Sequence, residues 1–227
     1  MSAGVGGPGE GAGPGGPAGA GGGTIDREAL GAAVARLHAA MAAEADRLNA
    51  ADGALGDGDL GVTMRRGMDL VAEAAPDLPE DMGQALMRCA QAFTRSSGSS
   101  YGTLMATGLM AMAKETRGRT AVEVSDLSRL VGLARDAMIA RGKAALGGKT
   151  VLDSLDAVAR ALDGVADPSE AAERATAAAR EALDAFRDRP ATVGRARIFA
   201  ERSRGLDDPG MLAMALVVEA LAGRRAA

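Results

Sequence analysis

Residues Leu48–Met68 read LNAADGALGDGDLGVTMRRGM. The stretch sets three aspartates, Asp52, Asp57 and Asp59, among the glycines Gly53, Gly56, Gly58 and Gly61, between two runs of strong helix formers. Three carboxylates this close repel one another when buried together unless a cation sits between them. Hard oxygen ligands on a short flexible turn suit Mg²⁺ or Ca²⁺. An EF-hand is excluded: counted from Asp57, the twelfth position is Met68, where a bidentate Glu is required. Mg²⁺ held by a few carboxylates, with water and phosphate completing its shell, fits better. Gly58 and Gly61 would then let backbone N–H groups face phosphate oxygens at the start of the helix that follows. A plain Asp/Gly turn is the alternative that this stretch alone leaves open.

Composition narrows the classes. The chain has 227 residues, a formal net charge of -4 and only 2% aromatic residues, so clustered basic and stacking side chains for nucleic acid are missing. One cysteine, Cys89, and one histidine, His38, both within apolar helical runs, cannot build a Cys/His zinc site. Any metal must be held by oxygen. No apolar window is long enough to cross a membrane, since MLAMALVVEALAG is short and contains Glu219. With no secretory signal visible, the expectation is a cytoplasmic protein that binds neither nucleic acid nor membrane.

Outward from the aspartate stretch, the chain is helical by composition and period. Residues 1–23, nearly all Gly, Pro and Ala, read as a disordered tail. Residues 24–227 read as one helical domain. Breaks near 49–60, 75–79, 95–101, 117–125, 142–150, 164–168 and 188–207 predict about eight helices, at roughly 26–48, 60–74, 79–96, 100–116, 123–142, 150–163, 168–187 and 208–224. No convincing strand is found. An antiparallel all-α bundle is the expected architecture.

Three further loops carry candidate chemistry. TRSSGSSYG, Thr94–Gly102, offers hydroxyls at a helix start. RGKAALGGKTVLDSL, Arg141–Leu155, contains GGKT but is no P-loop: the position five residues before Gly148 is Lys143, and no strand precedes it. ATVGRARIFAERSRGLDDPG, Ala191–Gly210, carries Arg195, Arg197, Arg202 and Arg204, which either bind phosphate or solvate a face.

In this order, the four loops resemble the L subunit of dihydroxyacetone kinases and the matching nucleotide-binding domain of the single-chain enzymes. The similarity runs over about residues 26–224, with the pattern L-N-x-x-D-x-x-x-G-D-G-D-x-G from Leu48 to Gly61 as its strongest part. The resemblance implies a barrel of eight antiparallel helices with ADP or ATP held at one end by loops. It implies two Mg²⁺ ions on Asp52, Asp57 and Asp59. Nucleotide contacts would fall on Leu60, Gly61, Val62 and Thr63, on Ser96 and Ser97, on Gly142, Val151 and Arg195, and on Asp208, Pro209 and Gly210. A separate K-type subunit would hold dihydroxyacetone or a related ketose through its own histidine. The phosphoryl donor stays open between ATP and a phosphotransferase-system protein, and a homodimer stays open as well.

The sequence departs from the family pattern at Thr94-Arg95 in place of a Gly-Gly pair, at Leu60, at Gly148 and at Arg197. These departures leave the aspartate triad intact. They motivate one alternative, a non-catalytic regulatory or scaffold protein that keeps the helical fold.

Overall fold

The computed structural model describes Met1, residues 22–95 and residues 99–224. Helix starts are set by side-chain caps. Asp26, Asp81, Asp167 and Asp208 each accept the amide proton three residues ahead, at 2.8 or 2.9 Å, which satisfies a donor that the first helical turn leaves open. Ser99 caps in the same way through Gly102, and Thr150 forms a capping box with Asp153.

These caps mark out α1 (Arg27–Ala43), α2 (Ala45–Leu55), α3 (Leu60–Ala74), α4 (Met82–Thr94), α5 (Ser100–Glu115), α6 (Leu127–Gly142), α7 (Val151–Ala161), α8 (Pro168–Arg187) and α9 (Pro209–Leu221). From α3 onward each helix lies against the next in sequence, while α9 returns to α1 and α2, and α1 also borders α3. The helices therefore form a closed ring. Arg36 of α1 fastens its seam by donating to the carbonyls of Ala220 and Leu221 at 3.1 and 3.2 Å; a cation there also complements the negative end of α9.

The core is built largely of Met, Leu and Ala. Met41, Leu48, Met64, Met138 and Met211 are essentially inaccessible, each burying apolar area that stabilises by about 1.5–3 kcal/mol. Helix α9 is apolar all round and is buried from Met211 to Ala220. Its one charge, Glu219, is neutralised by Arg180 of α8 at 2.6 Å. Small residues allow close helix approach: a Cβ on Gly61 would stand 1.9 Å from the carbonyl oxygen of Ala45, so α2 and α3 touch through backbone at that point.

The all-α architecture agrees with the sequence, but three expectations need correction. The helix expected over 26–48 is broken at Glu44, and its second half continues to Leu55. Counting α1 and α2 as one broken rod restores the expected eight. The segment 188–207 is not all loop, since Arg195–Ser203 is 3₁₀-helical with a kink at Phe199. Among the described residues two short strands exist, β1 (Thr24–Asp26) and β2 (Ala121–Glu123), paired antiparallel with Ile25 opposite Val122. Three-residue strands are too short to show a period-2 pattern. Gly23 extends this junction: its carbonyl accepts from Val124 at 2.8 Å and its amide donates to Ala166 at 3.0 Å. The starts of α1, α6 and α8 are thereby tied together at one end of the ring. No helix among the described residues is long and apolar enough to cross a membrane.

Candidate functional site

The opposite end of the ring holds a cleft of about 160 Å³. The starts of α3, α5, α7 and α9 converge on it, through Leu60, Ser99 and Ser100, Thr150 and Val151, and Asp208 to Gly210. Each helix start carries a partial positive charge of roughly half an electron. Four of them facing one cavity create a field that favours an anion.

The three aspartates stand on its rim. One carboxylate oxygen from each lies within 4.8 Å of the others. Asp52 belongs to α2 and not to the loop, because the helix runs through Asp52 and Gly53 before stopping at Leu55. Its Oδ2 accepts the amides of Asp59 at 3.0 Å and Leu60 at 3.3 Å, which fixes the turn against α3. Gly58 has φ +77°, a conformation side chains resist, and it lets the chain reverse so that Asp57 and Asp59 flank Asp52. Asp59 precedes α3 without using its side chain as a cap, leaving that carboxylate to the cleft. A hard, all-oxygen donor set at this spacing fits Mg²⁺.

Arg195 reaches this acidic cluster from the far side. Its guanidinium pairs with the carboxylate of Asp57, 138 residues away in sequence. Arg195 and Val193 to Ala196 form one wall of the cleft, and Tyr101 forms another. The Tyr101 hydroxyl donates to the carbonyl of Gly210 at 3.3 Å, and burial, with the nearby Asp208, pushes its pKa far up. Asp208 is buried as well. Burial pushes its carboxyl up to about 7, although the Met211 amide and the Lys149 ammonium pull the other way.

Of the residues singled out in the sequence, Asp52, Asp57, Asp59, Leu60, Val151, Arg195, Asp208, Pro209 and Gly210 line this one cleft. Gly61, Val62, Thr63 and Gly142 do not. Gly61 is consumed by the contact with Ala45, and Thr63 is buried. The Val62 amide donates to Asn49 Oδ1 at 3.1 Å and the Thr63 amide to the carbonyl of Asp59 at 2.9 Å. With the Leu60 amide held by Asp52, these three first-turn donors of α3 are bonded within the protein. Gly142 ends α6 on the surface. Ser96 and Ser97 lie outside the described residues. Tyr101 and Thr150 line the cleft and were not foreseen as site residues; Thr150 left a local trace, as a cap three residues before an Asp.

GGKT has a different use from the one its letters suggest. Lys149 is 1% exposed, and its ammonium donates to three backbone carbonyls rather than facing the cleft. The helix that follows is preceded by another helix, so no P-loop exists here.

The DAK2 domain profile matches residues 54–223, covering the triad's second and third aspartates and every other wall of the cleft. The chain belongs to the DAK2 domain family. One DAK2 relative, the ADP-binding subunit DhaL of the PEP-dependent dihydroxyacetone kinase of Escherichia coli (strain K12), is 30% identical over 184 residues, 79% of this chain and 88% of that protein. The DhaL subunit of the PTS-dependent dihydroxyacetone kinase of Lactococcus lactis is 31% identical over 175 residues, covering 77% of this chain and 85% of that subunit. D-erythrulose kinase of Mycolicibacterium smegmatis is 34% identical over 190 residues, covering 81% of this chain and 33% of that enzyme. The native crystal structure of the dihydroxyacetone kinase of C. freundii shares the fold, with a TM-score of 0.67 at 24% identity, over 86% of this chain and 34% of that one. The DAK2 chain thus matches the DhaL subunits over most of their length and spans about a third of the single-chain kinases.

Proposed function

We propose that this chain is the Mg-nucleotide-binding component of a dihydroxyacetone-kinase-type phosphotransferase. It would bind ADP or ATP in the cleft while a separate K-type subunit presents dihydroxyacetone or a related ketose. The observation that carries this reading is the convergence of four helix starts, Arg195 and three clustered carboxylates on one cleft. Phosphate needs the first two, and a divalent cation needs the third. The same pairing is named in a solved relative, the C. freundii enzyme in complex with AMP-PNP and Mg2+, which shares the fold at a TM-score of 0.65.

In this reading Asp52, Asp57 and Asp59 hold Mg²⁺, two ions by family resemblance, which supplies charge neutralisation to the phosphate oxygens. Asp52 keeps the aspartate turn rigid through its two amide bonds. Arg195 provides a guanidinium for a phosphoryl group, and Val151 with Pro209 and Gly210 provide apolar and backbone surface beside it. Phosphoryl transfer asks little covalent work of the protein; positioning and charge stabilisation supply most of the rate. Removal of the acceptor's proton falls to the partner, since the one histidine here, His38, is paired with Asp69 at 2.8 Å between α1 and α3, outside the cleft.

Calorimetry of ADP with Mg²⁺ on the parent and on Asp57→Ala tests the site. Asp57 is half exposed, so the variant folds, and tight binding by the parent with loss in the variant is the expected result. Equal binding by both would sink the metal assignment. Triose phosphorylation with an added K-type subunit and ATP then tests the activity. Tight Mg-nucleotide binding with persistent inactivity, whether the donor is ATP or a phosphotransferase-system protein, would favour the regulatory alternative.

A further inference from the structure

Arg195 rides on a segment outside the ring of helices, seated on α2 where Ala191, Ala196 and Phe199 pack against Leu55. Residues 188–208 leave the end of α8, line the cleft through Val193 to Ala196 and return to start α9. The two ends of this strap are gathered by one buried ammonium. Lys149 Nζ donates to the carbonyl of Arg187 at 2.8 Å and of Arg189 at 3.0 Å, where the strap begins, and to that of Ser203 at 2.6 Å, where it turns back. Three donors meet three acceptors, which is the full capacity of an ammonium. Neighbouring bonds follow the same lines: Thr192 donates to the carbonyl of Gly148 at 3.2 Å, Gly205 to that of Arg187 at 3.0 Å, and Ala191 to the Ser203 hydroxyl at 2.7 Å.

Holding Lys149 there is costly, in two independent ways. Its backbone sits at φ +61°, a left-handed conformation that a lysine seldom adopts. Its charge is removed from water, and burial pulls its pKa down although Asp208, Asp207 and Asp188 oppose this. Strain and a buried charge persist where the surroundings over-determine them, and they concentrate at functional sites. The next residue, Thr150, caps α7 and lines the cleft with Val151. One residue thus joins the strap that carries Arg195 to a helix start on the opposite wall.

We propose that Lys149 is a positioning residue: its ammonium locks the 188–208 strap so that Arg195 is held over the aspartate cluster, ready for a nucleotide phosphate. The inference rests on the nucleotide reading above and adds a residue that touches neither metal nor nucleotide. Lys149→Met keeps the length of the side chain and removes its three donors.

The test uses the full chain as parent, Lys149→Met, Arg195→Ala and the double variant. We expect each single change to weaken binding of ADP with Mg²⁺ roughly tenfold or more, and the double variant to be no more than about twofold weaker than the worse single one, because both changes remove the same arginine contact. Mn²⁺ binding without nucleotide should not weaken in Lys149→Met, as the triad sits on α2 and its turn; damage to the whole domain would lower both. Hydrogen exchange without nucleotide should accelerate over residues 190–205 and stay slow in α1, α4 and α6. Additive losses, a parallel fall in Mn²⁺ affinity, or nucleotide binding within twofold of the parent would overturn the proposal. If Lys149→Met does not fold, Lys149→Gln, which keeps part of the donor capacity without the charge, carries the same arms. If the parent itself binds no Mg-nucleotide, the functional reading falls, and the exchange measurement alone decides whether Lys149 holds the strap.

Discussion

The two ends of the ring use the same device for different purposes. At the end away from the cleft, helix starts are capped by exposed aspartates, and the junction of β1, β2 and Gly23 ties neighbouring rods through backbone bonds. There the amides of Gln84 and Gly118 hold the Asp81 carboxyl below the usual range. At the cleft end Asp208 caps α9 in the same geometry, yet burial drives its carboxyl the other way. One end spends its carboxylates on closing the fold. The other leaves Asp57 and Asp59 exposed and crowds them beside Asp52. The contrast teaches that at the cleft end charge is arranged for something other than stability.

The largest test of this contrast is pH. Below about pH 4 Asp208 is protonated whether the chain is folded or unfolded. From there to about 7 the unfolded chain gives up the proton while the folded one keeps it, so stability falls as pH rises, and the difference is constant above that. Each tenfold change in proton affinity is worth roughly 1.4 kcal/mol, so the loss is at most roughly 4 kcal/mol. Denaturant titrations from pH 4 to 8 should show this decline in the parent and not in Asp208→Asn. A parallel profile would remove the distinction between the two kinds of cap.

Next in size is Gly61→Ala. Its Cβ has no room beside the Ala45 carbonyl, so α2 and α3 must separate, at a cost of about 3 kcal/mol. Urea unfolding measures the cost, and nucleotide affinity should fall with it, since α2 and α3 carry the triad's frame. Asp59→Ala separates the two ends most sharply. It should weaken Mg-nucleotide binding roughly a hundredfold, about 2.7 kcal/mol. It should leave the unfolding midpoint unchanged or raised, because it relieves crowding of like charge and removes no cap bond. Smallest is Asp167→Ala at the far end, expected to cost about 1 kcal/mol of stability as a lost cap and to leave calorimetric nucleotide binding untouched. If Asp167→Ala and Asp59→Ala gave the same pattern, the division between a structural and a functional end would fail.

Much of this was legible in the chain itself. Helix formers, caps and apolar periodicity predict an all-α bundle, and Asp52, Asp57 and Asp59 stand close enough in sequence to be seen as one cluster. What escaped was set by tertiary context. Nothing between Arg27 and Leu48 marks a break at Glu44, since the run contains no proline and its glycine lies elsewhere. Asp52 and Gly53 are poor helix residues that α2 nevertheless keeps, because Asp52 is anchored by two amides of the following turn and α2 packs on α3. The pairing of Arg195 with Asp57 and the burial of Lys149 each join residues far apart in the chain, and GGKT pointed away from the role that Lys149 has.

The Arg36 seam bears on how the ring is made. Helices α3 to α8 each find a neighbour in the segment just before or just after them, so those contacts form locally and early. Helix α9 packs on α8 in the same way, but it also closes on α1 and α2, roughly the whole length of the domain upstream. During synthesis the apolar faces of α1 and α2 therefore stay open to solvent until α9 emerges. The last helix of the ring is the keystone, and a nascent chain stalled before Pro209 presents an open, sticky arc to the cell's chaperones.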